Sequence, residues 1–220
     1  MTEPEFLHRT RVSYDTLAED YADWIRTELA ARPLERAVLA AFAELVREAG
    51  AGPVADIGCG PGRLTAHLDG LGVPAFGIDL SPRMIAVARG LYPALRFDEG
   101  SMIELDIEDG TLGGVLAWYS IIHVPLERLP EVFAEFHRVL APGGHLQLAF
   151  QAGDELSHRS EAAGHQVSLD FHRRQPDQIA ELLRRAGLVP RARMLREPDQ
   201  DWDFPETTSQ AFLLARKPQS

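Results

Sequence analysis

Short apolar runs separated by helix-like segments constrain this chain more than any other feature. The runs are Val54–Ile57, Ala75–Ile78, Val115–Tyr119 and His145–Phe150. Between them lie Arg63–Asp69, Pro82–Gly90 and Leu126–Leu140, whose apolar residues recur every three or four positions. Strands alternating with helices build βαβ units, and these form a parallel sheet covered by helices on both faces. Before this region, Tyr14, Leu17, Tyr21, Trp24, Ile25 and Leu29 mark an amphipathic helix over residues 13–30, and a second runs from Leu34 to Ala49, stopping at Gly50. After it, a helix over Pro176–Ala186 ends at Gly187 and leads to a strand, Val189–Leu195; a further run, Gln210–Arg216, is placed to return antiparallel beside it. The polar stretch 151–174 lacks a strong period and reads as an insertion that covers a site.

Composition narrows the function classes. Lys and Arg total 22 against 33 Asp and Glu, a formal net charge of -11, and such a surface repels phosphate backbones. The one local basic strip, Arg191, Arg193 and Arg196, is followed at once by Glu197 and Asp199. No nucleic-acid partner is therefore expected. A single cysteine excludes an internal disulfide, and no stretch has the apolar length of a membrane span or signal peptide, so we expect a cytoplasmic protein with no membrane partner. Oligomeric state is left open.

The first strand of the alternating region runs into VADIGCGPGRL, Val54 to Leu64. Its three glycines, Gly58, Gly60 and Gly62, occupy the first strand-to-helix turn. Glycine accepts positive φ and lets a ligand approach the backbone, and the helix beyond presents free N–H groups. In an open α/β sheet this is the ligand crevice. A second strand ends in GIDLSP, placing Asp79 where it can accept hydrogen bonds from both ribose hydroxyls of an adenosine-containing ligand. The glycines alone are equally explained as a tight turn, with Asp79 capping the helix that starts at Pro82. The two features together favour a ligand. A dinucleotide fingerprint has the spacing G-x-G-x-x-G, whereas this chain has G-x-G-x-G.

With Asp56 before it, DIGCGPGRL resembles the first motif of the class I S-adenosylmethionine-dependent methyltransferases. GIDLSPRMIAVAR, FDEGSMIEL, WYSIIHV and FHRVLAPGGHLQLAF resemble that family's later segments, in their usual order, and YDTLAEDYADW resembles the lid helix of members acting on small molecules. The resemblance covers about three-quarters of the chain. It implies an α/β fold: a Rossmann-like three-layer sandwich with a mainly parallel seven-stranded sheet, its last strand antiparallel, and an N-terminal helical lid. It also implies one methyltransferase domain over 1–220, divided into a lid (1–50), a cofactor-binding core (51–150), an insertion near the acceptor (151–174) and a C-terminal helix and strand pair (175–220). The cofactor implied is S-adenosyl-L-methionine. Its site would comprise Asp56, Gly58, Cys59, Gly60, Gly62, Asp79 for the ribose, Leu80 on the adenine, Gly100, Ser101 and Met102 around the adenine ring, Trp118 and Tyr14. Ser101 stands where many members carry an acid, and Gly113-Gly114 stands where an aromatic–acid pair often opens the fourth strand.

Methyl transfer from a sulfonium needs acceptor, methyl and sulfur in line, so most of the catalysis comes from proximity and orientation. A general base helps only an acceptor that must lose a proton. His123, just past the fourth strand, is the candidate base; the alternative is a histidine that only shapes its loop. Tyr21, Tyr119, His123, Asp170 and His172 are expected to touch a small-molecule methyl acceptor, and Arg11 is a candidate partner for the cofactor carboxylate. His158, His165 and His172 are spaced seven apart in an irregular segment, which sets no metal geometry, so no metal is expected. Cys59 reads as a small buried filler. Two rival readings stand beside methyl transfer: a protein that binds the cofactor without transferring its methyl group, and an NAD(P)-dependent oxidoreductase.

Overall fold

The computed structural model describes residues 3–200 and 206–219. Helix α1 (Glu5–Ile25) leads through a short 3-10 turn (Leu29–Ala31) to α2 (Pro33–Ala49). Strand β1 (Val54–Ile57), helix α3 (Arg63–Gly70), strand β2 (Ala75–Asp79), helix α4 (Pro82–Leu91) and strand β3 (Arg96–Glu99) form two consecutive βαβ units. Strand β4 (Leu112–Trp118), helix α5 (Leu129–Val139) and strand β5 (Leu140–Gln151) form the next. The chain continues through β6 (Leu156–Ala162), β7 (His165–His172), α6 (Pro176–Arg185), β8 (Val189–Arg196) and β9 (Gln210–Arg216).

Seven strands form one sheet in the order β3-β2-β1-β4-β5-β9-β8. Neighbours from β3 to β5 pair in parallel, while β9 is antiparallel to both β5 and β8. A register shift between Pro190 and Ala192 bulges β8 at the sheet's edge. One face is sealed by Leu39, Phe42 and Val46 of α2 with Leu64 and Leu68 of α3, the other by Phe133 and Phe136 of α5 with Ile179 and Leu183 of α6. This is the three-layer Rossmann-like arrangement with an antiparallel final strand. The chain order reverses between β1 and β4, and the crevice past their carboxyl ends lies there.

Three expectations are corrected. Helix α1 starts at Glu5 rather than residue 13, because Phe6, Leu7, Thr10 and Tyr14 already share one face at helical spacing. Residues 151–174 are not an irregular insertion: β6 and β7 form a separate two-stranded hairpin. Its two-residue turn places Ala163 at φ 48° and Gly164 at φ 79°, the geometry that matches strand twist. β6 is exposed along nearly its whole length, so no apolar alternation marks it in the sequence. Third, the segment read as a helix from Leu126 opens as a 3-10 turn, and α5 begins only at Leu129, beside Pro130.

Gly113 and Gly114 have a packing cause. A Cβ on Gly113 would stand 2.4 Å from the Gly52 carbonyl oxygen, and one on Gly114 would stand 2.9 Å from Phe42, Val46 and Val54. β4 therefore passes too close to the turn before β1 and to α2 for any side chain at these positions.

Candidate functional site

The glycine turn after β1 is fastened to β2. The Ile78 carbonyl accepts from the amides of Gly58 at 2.7 Å and Cys59 at 3.1 Å. Gly58, Gly60 and Gly62 all have positive φ, but they serve different ends. A Cβ on Gly58 would collide with Ser120 at 2.3 Å, and one on Gly62 with Phe97 at 2.6 Å. A Cβ on Gly60 would meet only a Tyr21 ring carbon, 3.8 Å away, and would otherwise project into open space. Gly58 and Gly62 thus permit close packing, while Gly60 keeps a cradle clear.

That cradle belongs to a cavity lined by Gly58, Gly60, Asp79, Leu80, Gly100, Ser101, Met102, Trp118, Tyr14, Tyr21, Tyr119 and His123. All twelve were expected from the sequence. Five other expected residues do not line it. Asp56 is buried beneath the turn and accepts from Thr65 Oγ1 at 2.7 Å. Cys59 packs inward beside Ile85, Ala88 and Phe97, where burial pushes its thiol pKa up, as a filler should behave. Gly62 faces Phe97. Asp170 and His172 lie on the hairpin outside the lining. The cavity also includes Phe6, Leu7, Thr10, Arg11 and Val124. The first three follow once α1 is traced back to Glu5, since their spacing continues the Tyr14–Tyr21 face.

Asp79 ends β2 inside the cavity. Its Oδ2 accepts the Gly60 amide at 2.8 Å and its Oδ1 accepts the Ser81 amide at 2.9 Å. Burial raises its pKa to about 6, against amide hydrogen bonds from Ser81, Gly60 and Leu80. Two vicinal hydroxyls would reach its remaining lone pairs. Asp56 is raised further, to about 7, by burial, with the Thr65 hydrogen bond opposing. These residues fit a ribose-bearing cofactor: a buried acid beside a cradle that any side chain would fill.

Helix α1 crosses the cavity and is fastened on both sides. On one side, Asp15 accepts from Ser81 Oγ at 2.6 Å and from the Arg83 amide at 3.2 Å, placing an acid at the start of α4. On the other, Ser13 Oγ accepts the Ser168 amide at 2.9 Å, Asp20 pairs with His165 at 2.9 Å, and Arg9 reaches Asp170 at 3.4 Å. Asp170 also pairs with His158 at 2.7 Å, across the hairpin. The three histidines of residues 151–174 thus go to separate places, and no group of three metal-binding side chains gathers among the described residues.

His123 sits where α1, the hairpin and the core meet, only 8% exposed. Its Nδ1 lies 2.8 Å from the Asp170 carbonyl oxygen, and its Nε2 lies 2.8 Å from Tyr14 Oη. A carbonyl only accepts, so Nδ1 carries the proton and Nε2 accepts from the Tyr14 hydroxyl. Burial lowers the His123 pKa to about 4 and raises that of Tyr14, so both are neutral. Tyr119 has φ 54° and turns the chain out of β4. Burial raises its phenol, with Glu35, Glu206 and Glu28 adding to the effect, so its hydroxyl belongs to an ionic cluster behind the cavity rather than to its mouth.

Comparison with known proteins agrees with this geometry. The family described as "Methyltransferase domain" matches residues 54–144, the stretch from β1 into β5 that carries the glycine turn and Asp79. Over that stretch the chain is similar to S-adenosylmethionine-dependent methyltransferases. A demethylmenaquinone methyltransferase of Chlorobaculum parvum is 37% identical over 92 residues, 41% of this chain and 37% of that protein. A malonyl-[acyl-carrier protein] O-methyltransferase of Pectobacterium atrosepticum is 33% identical over 110 residues, 50% of this chain and 42% of that protein. The matched stretch therefore spans well under two-thirds of these methyltransferases.

Among solved structures, a 1,6-didemethyltoxoflavin-N1-methyltransferase of Burkholderia thailandensis superposes with a TM-score of 0.70 at 23% identity, covering 99% of this chain and 92% of that one. A DhpI complex with S-adenosylhomocysteine superposes with a TM-score of 0.72 at 20% identity, over 100% of both chains. At these identities the two structures establish the methyltransferase fold alone.

Proposed function

We propose that this protein transfers a methyl group from S-adenosylmethionine to a small-molecule acceptor. The observation that carries the proposal is the buried Asp79 carboxylate standing beside the Gly60 cradle in one cavity. The cofactor, when bound, supplies an electrophilic methyl group on a sulfonium. Asp79 would hold the ribose, with Leu80, Gly100, Ser101 and Met102 around the adenine and Trp118 and Tyr14 as walls. We read the whole chain as one methyltransferase unit, acting in the cytoplasm on a metabolite rather than a nucleic acid; its acidic balance and single cysteine support this. No helix among the described residues is long and apolar enough to cross a membrane.

An acceptor bearing O–H or N–H would meet Tyr14 before His123, because His123 has both nitrogens engaged. As the methyl group would leave sulfur for the acceptor, the acceptor's proton would pass to Tyr14 Oη and the Tyr14 proton to His123 Nε2. His123 thus acts as base through Tyr14. Asp170 contributes by its backbone carbonyl, which keeps the imidazole proton on Nδ1. Tyr21 would border the acceptor side less directly.

Calorimetric titration with S-adenosylmethionine, S-adenosylhomocysteine and NAD tests the proposal. Binding of both sulfur nucleosides but not NAD, weakened in Asp79→Ala, followed by S-adenosylhomocysteine release in an acceptor screen, is the expected result. Folded protein that binds neither nucleoside would refute it. Binding without turnover on any acceptor would favour a cofactor-binding protein.

A further inference from the structure

Arg174 lies just past β7, at the root of the hairpin, and is only 6% exposed. Its backbone is fixed to the end of β5: the Arg174 amide donates to the Gln151 carbonyl at 2.9 Å, and the Arg174 carbonyl accepts the Gly153 amide at 3.2 Å. The side chain makes no ion pair with an acid among the described residues; its Nη2 donates to the Val124 carbonyl, and its Nε is buried without a hydrogen-bond partner. Burial lowers the guanidinium pKa to about 10, with Glu127 opposing the shift from beyond ion-pair distance. A buried charge in this state is costly, and an apolar side chain of similar volume often serves stability as well or better. Stability alone therefore does not account for an arginine here.

The carbonyl it holds supplies the reason. Val124 follows His123 directly, and both line the main cavity. The 3-10 turn Ile121–His123, which presents the imidazole, is loosely closed by its own backbone: the His123 amide reaches the Ser120 carbonyl only at 3.5 Å, and the Val124 amide reaches that of Ile121 at 3.1 Å. Pro125 comes next and has no N–H with which to extend the turn. The entry to the turn is fastened by Ser120 Oγ, which donates to the Ile57 carbonyl at 2.7 Å. Its exit is fastened by Arg174. Between these two fixed points His123 meets Tyr14 Oη and the Asp170 carbonyl, each at 2.8 Å. Asp170 and Arg174 are close in the chain, so one stretch of the hairpin grips both the imidazole and the backbone just beyond it.

We propose that Arg174 is a positioning residue for the His123 base: by holding the Val124 carbonyl it fixes the turn that keeps the imidazole within reach of Tyr14. Arg174 stands outside the cavity lining and acts only through His123. The inference rests on the methyltransferase reading and names the residue that supports its proton acceptor.

Thermal melts, calorimetry with S-adenosylhomocysteine and long-range proton–nitrogen NMR of His123 test this on the wild type, Arg174→Met and Arg174→Lys. Arg174→Met keeps an apolar stem but removes the charge and its donors. It is expected to melt no lower than the wild type and to bind S-adenosylhomocysteine equally well. His123 should nevertheless change: its proton affinity should rise by roughly tenfold, the equivalent of one hydrogen bond, and the single Nδ1–H tautomer should be lost. Arg174→Lys keeps a charge and a donor, and should move the His123 signature back toward the wild type. A His123 signature unchanged in Arg174→Met, or a Met variant that cannot fold, would overturn the inference and leave Arg174 a purely structural residue. A wild type that binds no S-adenosylhomocysteine would instead remove the methyltransferase reading itself.

Discussion

Tyr14 and His123 stand 109 residues apart in the chain and share a 2.8 Å hydrogen bond in which the phenol donates. The direction is fixed from a distance, because the Asp170 carbonyl claims the proton on Nδ1. Lid helix, core loop and hairpin thus converge on one imidazole. Its rings are packed as well as bonded: Tyr14 lies 5.3 Å and Phe171 4.9 Å from the His123 ring centroid, both edge-on.

Replacing Tyr14 by Phe removes the donor that stabilises the neutral imidazole, so the His123 pKa should rise from about 4. Long-range proton–nitrogen NMR across a pH titration reads both the value and the tautomer. A wild-type spectrum with the proton on Nε2 would contradict the arrangement. With an O–H acceptor in hand, the same variant should lose roughly 10²-fold or more in turnover, the usual contribution of positioned proton transfer.

Cofactor affinity should depend on the ionisation of Asp79. Burial holds its pKa near 6, and hydroxyl donors favour the ionised form. Affinity for S-adenosylhomocysteine should therefore be full above about pH 6 and decline as the pH falls below it. Asp79→Asn should bind weakly throughout, with a flattened profile. An affinity that rises on acidification would rule out a carboxylate–hydroxyl contact.

Asp56 makes a stability prediction of definite sign. Its folded pKa, about 7, lies above the ordinary 3.8, so the folded state holds the proton more tightly than the unfolded chain. The contribution is present below about pH 4 and is lost as the pH rises through about 7. Asp56→Asn cannot lose it. The gap in Tm between that variant and the wild type should shift in the variant's favour across this window, as read by thermal melts at successive pH values. A constant gap would show that Asp56 does not titrate there.

The first two glycines of the turn should fail in different ways. Gly58→Ala drives a Cβ into Ser120, whose hydroxyl ties β4 to the Ile57 carbonyl at 2.7 Å, so chemical denaturation should reveal a loss of about 1–3 kcal/mol. Gly60→Ala meets little of the protein but occupies the cradle. Its stability loss should be limited to about 1 kcal/mol of backbone strain, with the larger effect on S-adenosylhomocysteine affinity. The reverse pattern would assign the cradle to the wrong glycine.

These contrasts also mark how far the sequence could be read. Buried strands such as Val54–Ile57 and the interior of β5 announce themselves as apolar runs, and the glycine turn with Asp79 identifies the crevice without coordinates. β3 does not, because in Arg-Phe-Asp-Glu only Phe97 is buried. The hairpin escapes for the same reason: its inward residues, Leu169 and Phe171, belong to one strand, and its partner strand is exposed. Cavity-lining residues on expected elements were found, whereas Asp56, Cys59 and Gly62 share the motif but face inward. Arg63 and Glu28, which pair at 2.7 Å, could not be matched from spacing, since Glu28 lies in the link between α1 and α2 and Arg63 opens α3. The placement of Asp170 was legible in part, but a role carried by its backbone carbonyl leaves no side-chain signature.

The bulge at Pro190 in β8 bears on how the molecule behaves among its own copies. Its strand is the outer rim of the sheet, and a rim offers unpaired amides and carbonyls to any passing extended segment. Pro190 removes one donor, the bulge breaks the repeat, and Arg191 and Arg193 are exposed. At the opposite rim, β3 presents Arg96, Asp98 and Glu99. Charge at both open margins, and the broken repeat at one of them, work against in-register pairing with a second sheet.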